Sequence, residues 1–323
     1  MTFKRTAAWL AAAVLSACAA ATQAADAGKL DRAALIKLAN DYVAALVAHD
    51  PRKVPLAPDV KTVENAKRIK AGEGLWKTTT AGPTEFKIVV PDAYSQEVGG
   101  MFMIQSENKP AQIGLRLKVV NGKITEAEHM IALPREQMLA NLQKVRPAIL
   151  MDVPYEYADS RGRLVHIAKS YYDALDLNNG SLAPFAPDCE RHENGMRTAP
   201  NGGPVGGAGM PGAAPRPPSL VGMVDCKSQL DSQAMAYISV IDDRRVEIAD
   251  EQTGLALGFS HFKHEMKTKE YKILNDPSRD TSSMPFGPFD LPAMHIYKIW
   301  GGQIHEIEAM GFMAPYNSPT GWE

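Results

Sequence analysis

Two stretches of the chain repeat one pattern of apolar and polar positions. Leu35, Leu38, Ala39, Tyr42 and Leu46 are spaced as one face of a helix, and Leu164, Ile167, Ala168, Tyr171 and Leu175 reproduce that spacing without a gap. Each run is followed by a polar break, Asp50-Pro51 or Asn178-Asn179-Gly180, and then by a shared phrase. The phrase reads LAPDVKTVEN over residues 56–65 and FAPDCERHEN over 185–194. It is too polar for a buried helix and predicts a short strand or strand-like loop. Downstream, GMFMIQSE (100–107) aligns with GLALGFSH (254–261), and LRLKVVNGKITEAE (115–128) aligns with HIYKIWGGQIHEIE (295–308). These β-rich runs predict antiparallel strands, the last pair hairpins that turn at Asn121-Gly122 and Gly301-Gly302. Each half therefore reads as a helix, a short strand and several long strands, an α+β unit with helices on one face of a curved sheet.

The remaining segments set the domain layout. Lys4 and Arg5 precede an apolar run, Ala7 to Leu15, that is too short to span a bilayer and reads as a secretory signal over residues 1–24. Two exits from it compete: the small-residue site Thr22-Gln23-Ala24, and Leu15-Ser16-Ala17-Cys18, a lipobox pattern that would make Cys18 a lipid anchor. Both predict a periplasmic or secreted protein. The first repeat is placed at 30–133, a helical linker at 134–162 and the second repeat at 163–316. Within the second repeat, a Gly/Pro-rich insertion at 198–219 cannot join a sheet. Net charge is −2, with acids and bases mixed, which argues against nucleic-acid partners and a polybasic membrane face. Cys189 and Cys226 survive either cleavage, and in an oxidising compartment an even pair predicts a disulfide.

The helix bearing YVAAL, the APD phrase ending in Glu-Asn and the strands ending in GKITEAE resemble the SnoaL-like branch of the NTF2-like superfamily. The second half, with CERHENG and DDRRVEIADEQTGLALGF, further resembles a secreted, uncharacterised SnoaL-like group. The resemblance implies two cones, each a curved antiparallel sheet wrapped by helices around a pocket, packed in one chain as a pseudo-dimer. Ketosteroid isomerase shares that fold. By similarity to it, Glu193 is expected as a general base and Tyr171 as a hydrogen-bond donor to a developing oxyanion, a pairing of the kind in which burial tunes a carboxyl and a phenol for proton transfer. Tyr171 and Glu193 are 22 residues apart, as are Tyr42 and Glu64 in the first half. The second carboxylic acid of the isomerase's oxyanion hole has no counterpart near Ile113-Gly114 or Ala293-Met294, so steroid isomerisation itself is not implied.

Other residues of the second half complete the expected site. His261 and Phe259 share a strand face and are expected to reach the pocket, with His261 as a third catalytic residue. Asn194, beside Glu193, is expected to bind substrate, as is Glu308 if its strand face lines the cone. His192, alternating with Glu193, is expected at the pocket rim. The His spacings match no metal motif, and no phosphate-binding loop, nucleophile elbow or Cys-x-x-Cys is present, so no metal or cofactor is expected. The expected activity is that of a cofactor-independent lyase, isomerase or dehydratase acting on a small, partly apolar molecule. The competing expectation is a non-catalytic ligand-binding or protein-interaction module, and a homo-oligomer is compatible with either. The first half, lacking the extra polar residues, is expected to be structural.

Overall fold

The computed structural model describes residues 28–200, 225–275 and 280–323. The signal segment with Cys18, and residues 201–219 of the insertion, lie outside these described residues. In the first half, helix α1 (Arg32–Val47) leads into strands β1 (Leu56–Glu64) and β2 (Lys67–Ile69), the short helix α2 (Leu75–Thr78), then β3 (Thr79–Ala81), β4 (Lys87–Asp92), β5 (Glu97–Ser106), β6 (Lys109–Val120) and β7 (Lys123–Ala132). The connection contains a 3-10 turn, Glu136–Leu142, and α3 (Pro147–Leu150). In the second half come α4 (Arg161–Asp176), β8 (Phe185–Glu193), β9 (Met196–Ala199), α5 (Cys226–Asp231), β10 (Val240–Asp250), β11 (Leu255–His264), β12 (Glu270–Lys272), β13 (Thr281–Ser283), β14 (Phe289–Trp300), β15 (Gln303–Gly311) and β16 (Ala314–Pro315).

The two main sheets share one order. It runs β2-β1-β7-β6-β5 in the first half, with β3 and β4 pairing β5, and β9-β8-β15-β14-β11-β10 in the second. The shared phrase is a full nine-residue strand in both halves, and it pairs parallel to the last hairpin strand, Glu64 opposite His129 and Glu193 opposite Ala309. Its Glu-Asn ending has a structural cause. Asn65 and Asn194 each take φ near +45° at the turn (43° and 47°), a left-handed conformation Asn tolerates. Their side-chain amides then pair with strand backbone as a further strand residue would: Asn65 with Ile131, Asn194 with Gly311.

Each sheet buries one face under its own long helix and the other against the opposite sheet. Tyr171, Ala256, Phe262, Tyr297 and Ile307 form the helix-side core of the second half, and Tyr42, Phe102, Ile113 and Leu115 that of the first. A third core joins the halves, with Met101, Met103 and Met130 packed against Leu257, Phe259, Met294 and Met310. Gly114 makes this close approach feasible, because a Cβ there would lie 2.5 Å from Met294 Sδ. The strands are thus buried on both faces, the face away from the helices also carrying buried charges such as Arg116, Glu128, Glu306 and Glu308.

The halves are also clamped by a reciprocal exchange of charge. Arg32, at the start of α1, grips Asp250 at the end of β10 through two 2.8 Å bonds, and Arg161, at the start of α4, grips Asp92 at the end of β4 at 2.7 Å. The equivalent residues of each half hold the other half, the signature of a two-fold interface. The segments after β7 and β15 cross over in the same way. Leu142 sits against Gly195 of the second half, while Gly321 and Trp322 lie against Ala66 and Arg116 of the first.

Candidate functional site

On the helix side of the second sheet lies a cavity of about 130 Å3, walled mainly by Leu175, Met235, Ile238, Phe262, Leu291 and Met310. Its polar lining comes from Tyr171, Tyr237, Glu193, Asn194, His264 and His295. Tyr171 is there because its helix face is the buried one. Glu193 is there because alternation along β8 puts Cys189, Arg191 and Glu193 on one face.

Arg191 joins the two residues that the repeat singled out. Its guanidinium is fully buried, donating to the Tyr171 hydroxyl at 3.4 Å and pairing with the Glu193 carboxylate at 3.1 Å. The Nε–H that faces Glu193 also donates to Thr198 Oγ1 at 2.9 Å, and Nη2 donates to Gln229 Oε1. Burial pushes the Tyr171 hydroxyl up to about 12, against the pull of Arg191, so it stays protonated and able to donate. Glu193 is 40 % exposed at the cavity mouth. Burial holds His264 down to about 4, and burial with the nearby Arg191 charge holds His295 down to about 3, so both rings stay neutral. His264 is stacked between Phe289 and Tyr237, and His295 meets the Tyr172 hydroxyl through Nδ1 at 3.2 Å. The cavity wall thus carries one formal charge, the Glu193 carboxylate.

The first half assembles the same pair differently. Tyr42 lies 2.9 Å from His129 Nε2, and His129 Nδ1 lies 3.1 Å from Glu64. With the carboxylate as acceptor, Nδ1 carries the proton and Tyr42 donates to Nε2. Trp76 packs edge-on against Tyr42 with 5.1 Å between ring centroids and is itself buried. Where the second half has Ala309, the first has His129, and that ring closes the space between Tyr and Glu. The first half is therefore not stripped of polar groups, as its sequence implied. It holds a completed and buried hydrogen-bond chain.

Several expected site residues sit elsewhere. His261 and Phe259 face the opposite sheet, not the cavity. His261 pairs with Asp290 at 3.0 Å and Phe259 belongs to the core between halves. The sequence frame placed the wrong face inward because β11 is buried on both faces, and a one-residue choice of face reverses every side chain. His192 is not at a rim. It is buried on the other face of β8, bonded to Glu190 at 2.7 Å. Glu308 is also on that face, where Arg146 bonds Glu306 at 2.5 Å and Glu308 at 2.8 Å, with Glu190 4.0 Å away. Asn194 does border the cavity, but its amide is committed to Gly311. Arg191, Tyr237, His264 and His295 were missed. Arg191 was legible as the residue two before Glu193, and His295 as the place where the repeat changes Leu115 to His. Tyr237 follows the insertion and has no repeat partner to mark it. Cys189 and Cys226 form a disulfide.

The Arg146 cluster has a consequence for stability. Three buried carboxylates share one guanidinium, and burial with Glu306 and Glu190 nearby lifts Glu308 to about 7, although Arg146 opposes this. His192, on the same face, is itself held low by burial. A carboxyl whose folded pKa lies above its unfolded value adds stability that is fully present below about pH 4.5 and is lost as pH rises through 7. Stability measured by urea unfolding is expected to fall by on the order of 2 kcal/mol between pH 5 and pH 8 through this group. Glu308→Gln should flatten that part of the profile.

The fold and cavity define a tandem α+β protein of two like units, each a curved sheet under its own long helix, the second of them holding the cavity. The chain belongs to the family described as Domain of unknown function (DUF8021), which matches residues 28–131 and 157–311. Among curated proteins, none matches it. Solved structures align with about half of the chain at a time. An NTF2-like protein from Burkholderia thailandensis E264 is 13% identical, with 46% of this chain and 89% of that one covered and a TM-score of 0.24. A candidate SnoaL-like polyketide cyclase from Jannaschia sp. CCS1 is 10% identical, covering 48% and 89%, with a TM-score of 0.26. A candidate polyketide cyclase from Xanthomonas campestris pv. campestris is 14% identical, covering 47% and 92%, with a TM-score of 0.28.

Proposed function

We propose that the second half binds a small, uncharged and largely apolar organic molecule, whose polar end is held by the Tyr171 hydroxyl and the Glu193 carboxylate. The observation that carries this reading is the contrast between the halves. The same Tyr/Glu pair is sealed by His129 and Trp76 in the first half and left facing an apolar-walled cavity in the second. Apolar walls with a few converging polar groups are the usual make-up of a small-molecule site. The Glu193 carboxylate, already paired with Arg191, favours a group that donates a hydrogen bond to it.

A second reading, turnover of that ligand by acid–base chemistry, is favoured by the Tyr171–Arg191–Glu193 arrangement. Tyr171 would donate to a carbonyl-type oxygen, with the Arg191 charge behind it. Glu193 would accept the proton, as in a lyase, isomerase or dehydratase. A metabolite library screened by melting shift on the wild type and Glu193→Gln, with hits incubated and analysed by mass spectrometry, separates the readings. Consumption by the wild type that falls about 100- to 10,000-fold in a variant that still binds supports turnover. Binding by both without consumption leaves the pocket as a receptor.

Outside the cytoplasm is the compartment we propose, a reading supported by the Cys189–Cys226 disulfide and by the N-terminal signal pattern. Mass spectrometry of the mature N-terminus distinguishes a start near Ala25 from an acylated Cys18.

A further inference from the structure

We propose that Gln229 is the positioning residue of the second-half pocket and that the Cys189–Cys226 disulfide holds it in place. The inference rests on the pocket reading above. The buried guanidinium of Arg191 carries both the Tyr171 hydroxyl and the Glu193 carboxylate. Two of its partners, Thr198 and Gln229, accept from the guanidinium and fix its fork, and Thr198 Oγ1 also donates to Glu193 Oε1 at 3.4 Å. Gln229 also donates to the Thr198 carbonyl at 2.6 Å, which ties the two supports together. A planar guanidinium held on several sides has little freedom, and the groups it bonds inherit that placement.

Gln229 itself stands on weak ground. It lies on α5, a helix of six residues, too short to hold its shape alone. Cys226 opens that helix, and Gln229 is three residues on, one turn later and on the same face. Cys189, at the other end of the disulfide, is two residues before Arg191 on β8 and shares its face with Arg191 and Glu193. The covalent bond thus joins the helix face carrying Gln229 to the strand face carrying Arg191. Leu230, buried in the same core, and Asp231, which accepts from the Gly180 backbone at 2.7 Å, anchor the rest of α5. Opening the disulfide therefore releases the Cys226 end of the helix, one turn before Gln229, while these contacts keep α5 on the protein. In chemical terms the opening is a thiol–disulfide exchange: a dithiol reductant supplies two electrons, its own sulfurs become a disulfide, and Cys189 and Cys226 become thiols.

The experiment uses the full mature chain and 2-naphthol, a neutral bicyclic molecule whose hydroxyl becomes strongly acidic in the excited state. Naphtholate emission reports proton transfer to an adjacent carboxylate, so it reads the geometry of Glu193 as well as occupancy. In the oxidised wild type, 2-naphthol binds and emits as naphtholate, and Glu193→Gln removes that emission. Gln229→Met, which keeps the side-chain length without the amide, is expected to weaken binding about tenfold and to lower the naphtholate fraction. Reduction with dithiothreitol should do the same to the wild type and add little to Gln229→Met. The Nε–H resonance of Arg191 supplies a readout that needs no ligand, expected to exchange slowly in the oxidised wild type and faster in Gln229→Met and after reduction.

Unchanged emission, affinity and Arg191 exchange in Gln229→Met would overturn the positioning role. The disulfide's part would be overturned by a reduced protein that keeps its fold by circular dichroism and all three signals. A wild type that ignores 2-naphthol, or emission indifferent to Glu193→Gln, would count against the pocket reading instead, and Arg191 exchange would still decide the role of Gln229.

Discussion

Replacing Asp92 with Ala is expected to destabilise the protein by about 3–5 kcal/mol, one of the two largest effects anticipated. Asp92 is buried and accepts four hydrogen bonds. Its Oδ1 takes the backbone amides of Tyr94 and Ser95 at 2.9 and 3.1 Å, and its Oδ2 takes Arg161 Nε at 2.7 Å and the Ala249 amide at 3.0 Å. Its removal leaves three amides and a guanidinium short of an acceptor, one of those amides fully buried between the halves. The pseudo-symmetric change, Asp250→Ala, takes both acceptors from Arg32 and one from Thr253, and should act in the same direction. Chemical unfolding of each single variant and of the double variant provides the check. If the two clamps belong to one interface, the variants should also lose the single cooperative transition, the halves separating before either unfolds. A loss below about 1 kcal/mol, the range of exposed pairs, would show that the clamp is solvated.

The second large effect is on the cavity. Ala309→His puts into the second half the residue that the first half has at the position opposite its glutamate, since Ala309 pairs with Glu193 as His129 pairs with Glu64. The new ring would enter the space between Tyr171 and Glu193 and occupy the polar end of the cavity. Overfilling of a fitted site costs about 1–3 kcal/mol, which is roughly a 10- to 100-fold loss of ligand affinity. The melting temperature without ligand is expected to fall modestly, because Arg191 already bridges Tyr171 and Glu193 and the new ring must share those partners with it. Titration calorimetry with a hit from the metabolite screen measures both the affinity and the number of sites.

The chain's own repetition made the architecture legible. Helical spacing around Tyr42 and Tyr171, two hairpin turns and one shared phrase were enough to assign two copies of a helix-on-sheet unit. The parallel pairing of β1 and β8 was not legible, because a polar nine-residue strand inserted beside a hairpin carries no local mark of its partner. The site was half legible for a related reason. Tyr171 and Glu193 were found through the repeat, and both border the cavity. His261 and Phe259 were placed on the wrong side because Leu255 to Phe262 is buried on both faces, so alternation of apolar and polar residues could not choose between them. Glu308 and His192 were misjudged for the opposite reason. Glu308, expected to bind substrate, and His192, expected at the rim, are buried on the other sheet face, where Glu308 is compensated by Arg146 from the connection between the halves and His192 by Glu190 two residues before it. The substitution of Ile296 where the first half has Arg116 explains that need. Arg116 serves Glu126 and Glu128 from the neighbouring strand, and Arg146 takes over that task for Glu306 and Glu308.

The central claim is that one cone is hollow and the other sealed. Calorimetric titration of a screened ligand into the wild-type chain and into Ala309→His tests it most directly. The expected result is one site per wild-type chain and a 10- to 100-fold weaker site in the variant. Two equivalent sites per chain, or undiminished binding by Ala309→His, would contradict it.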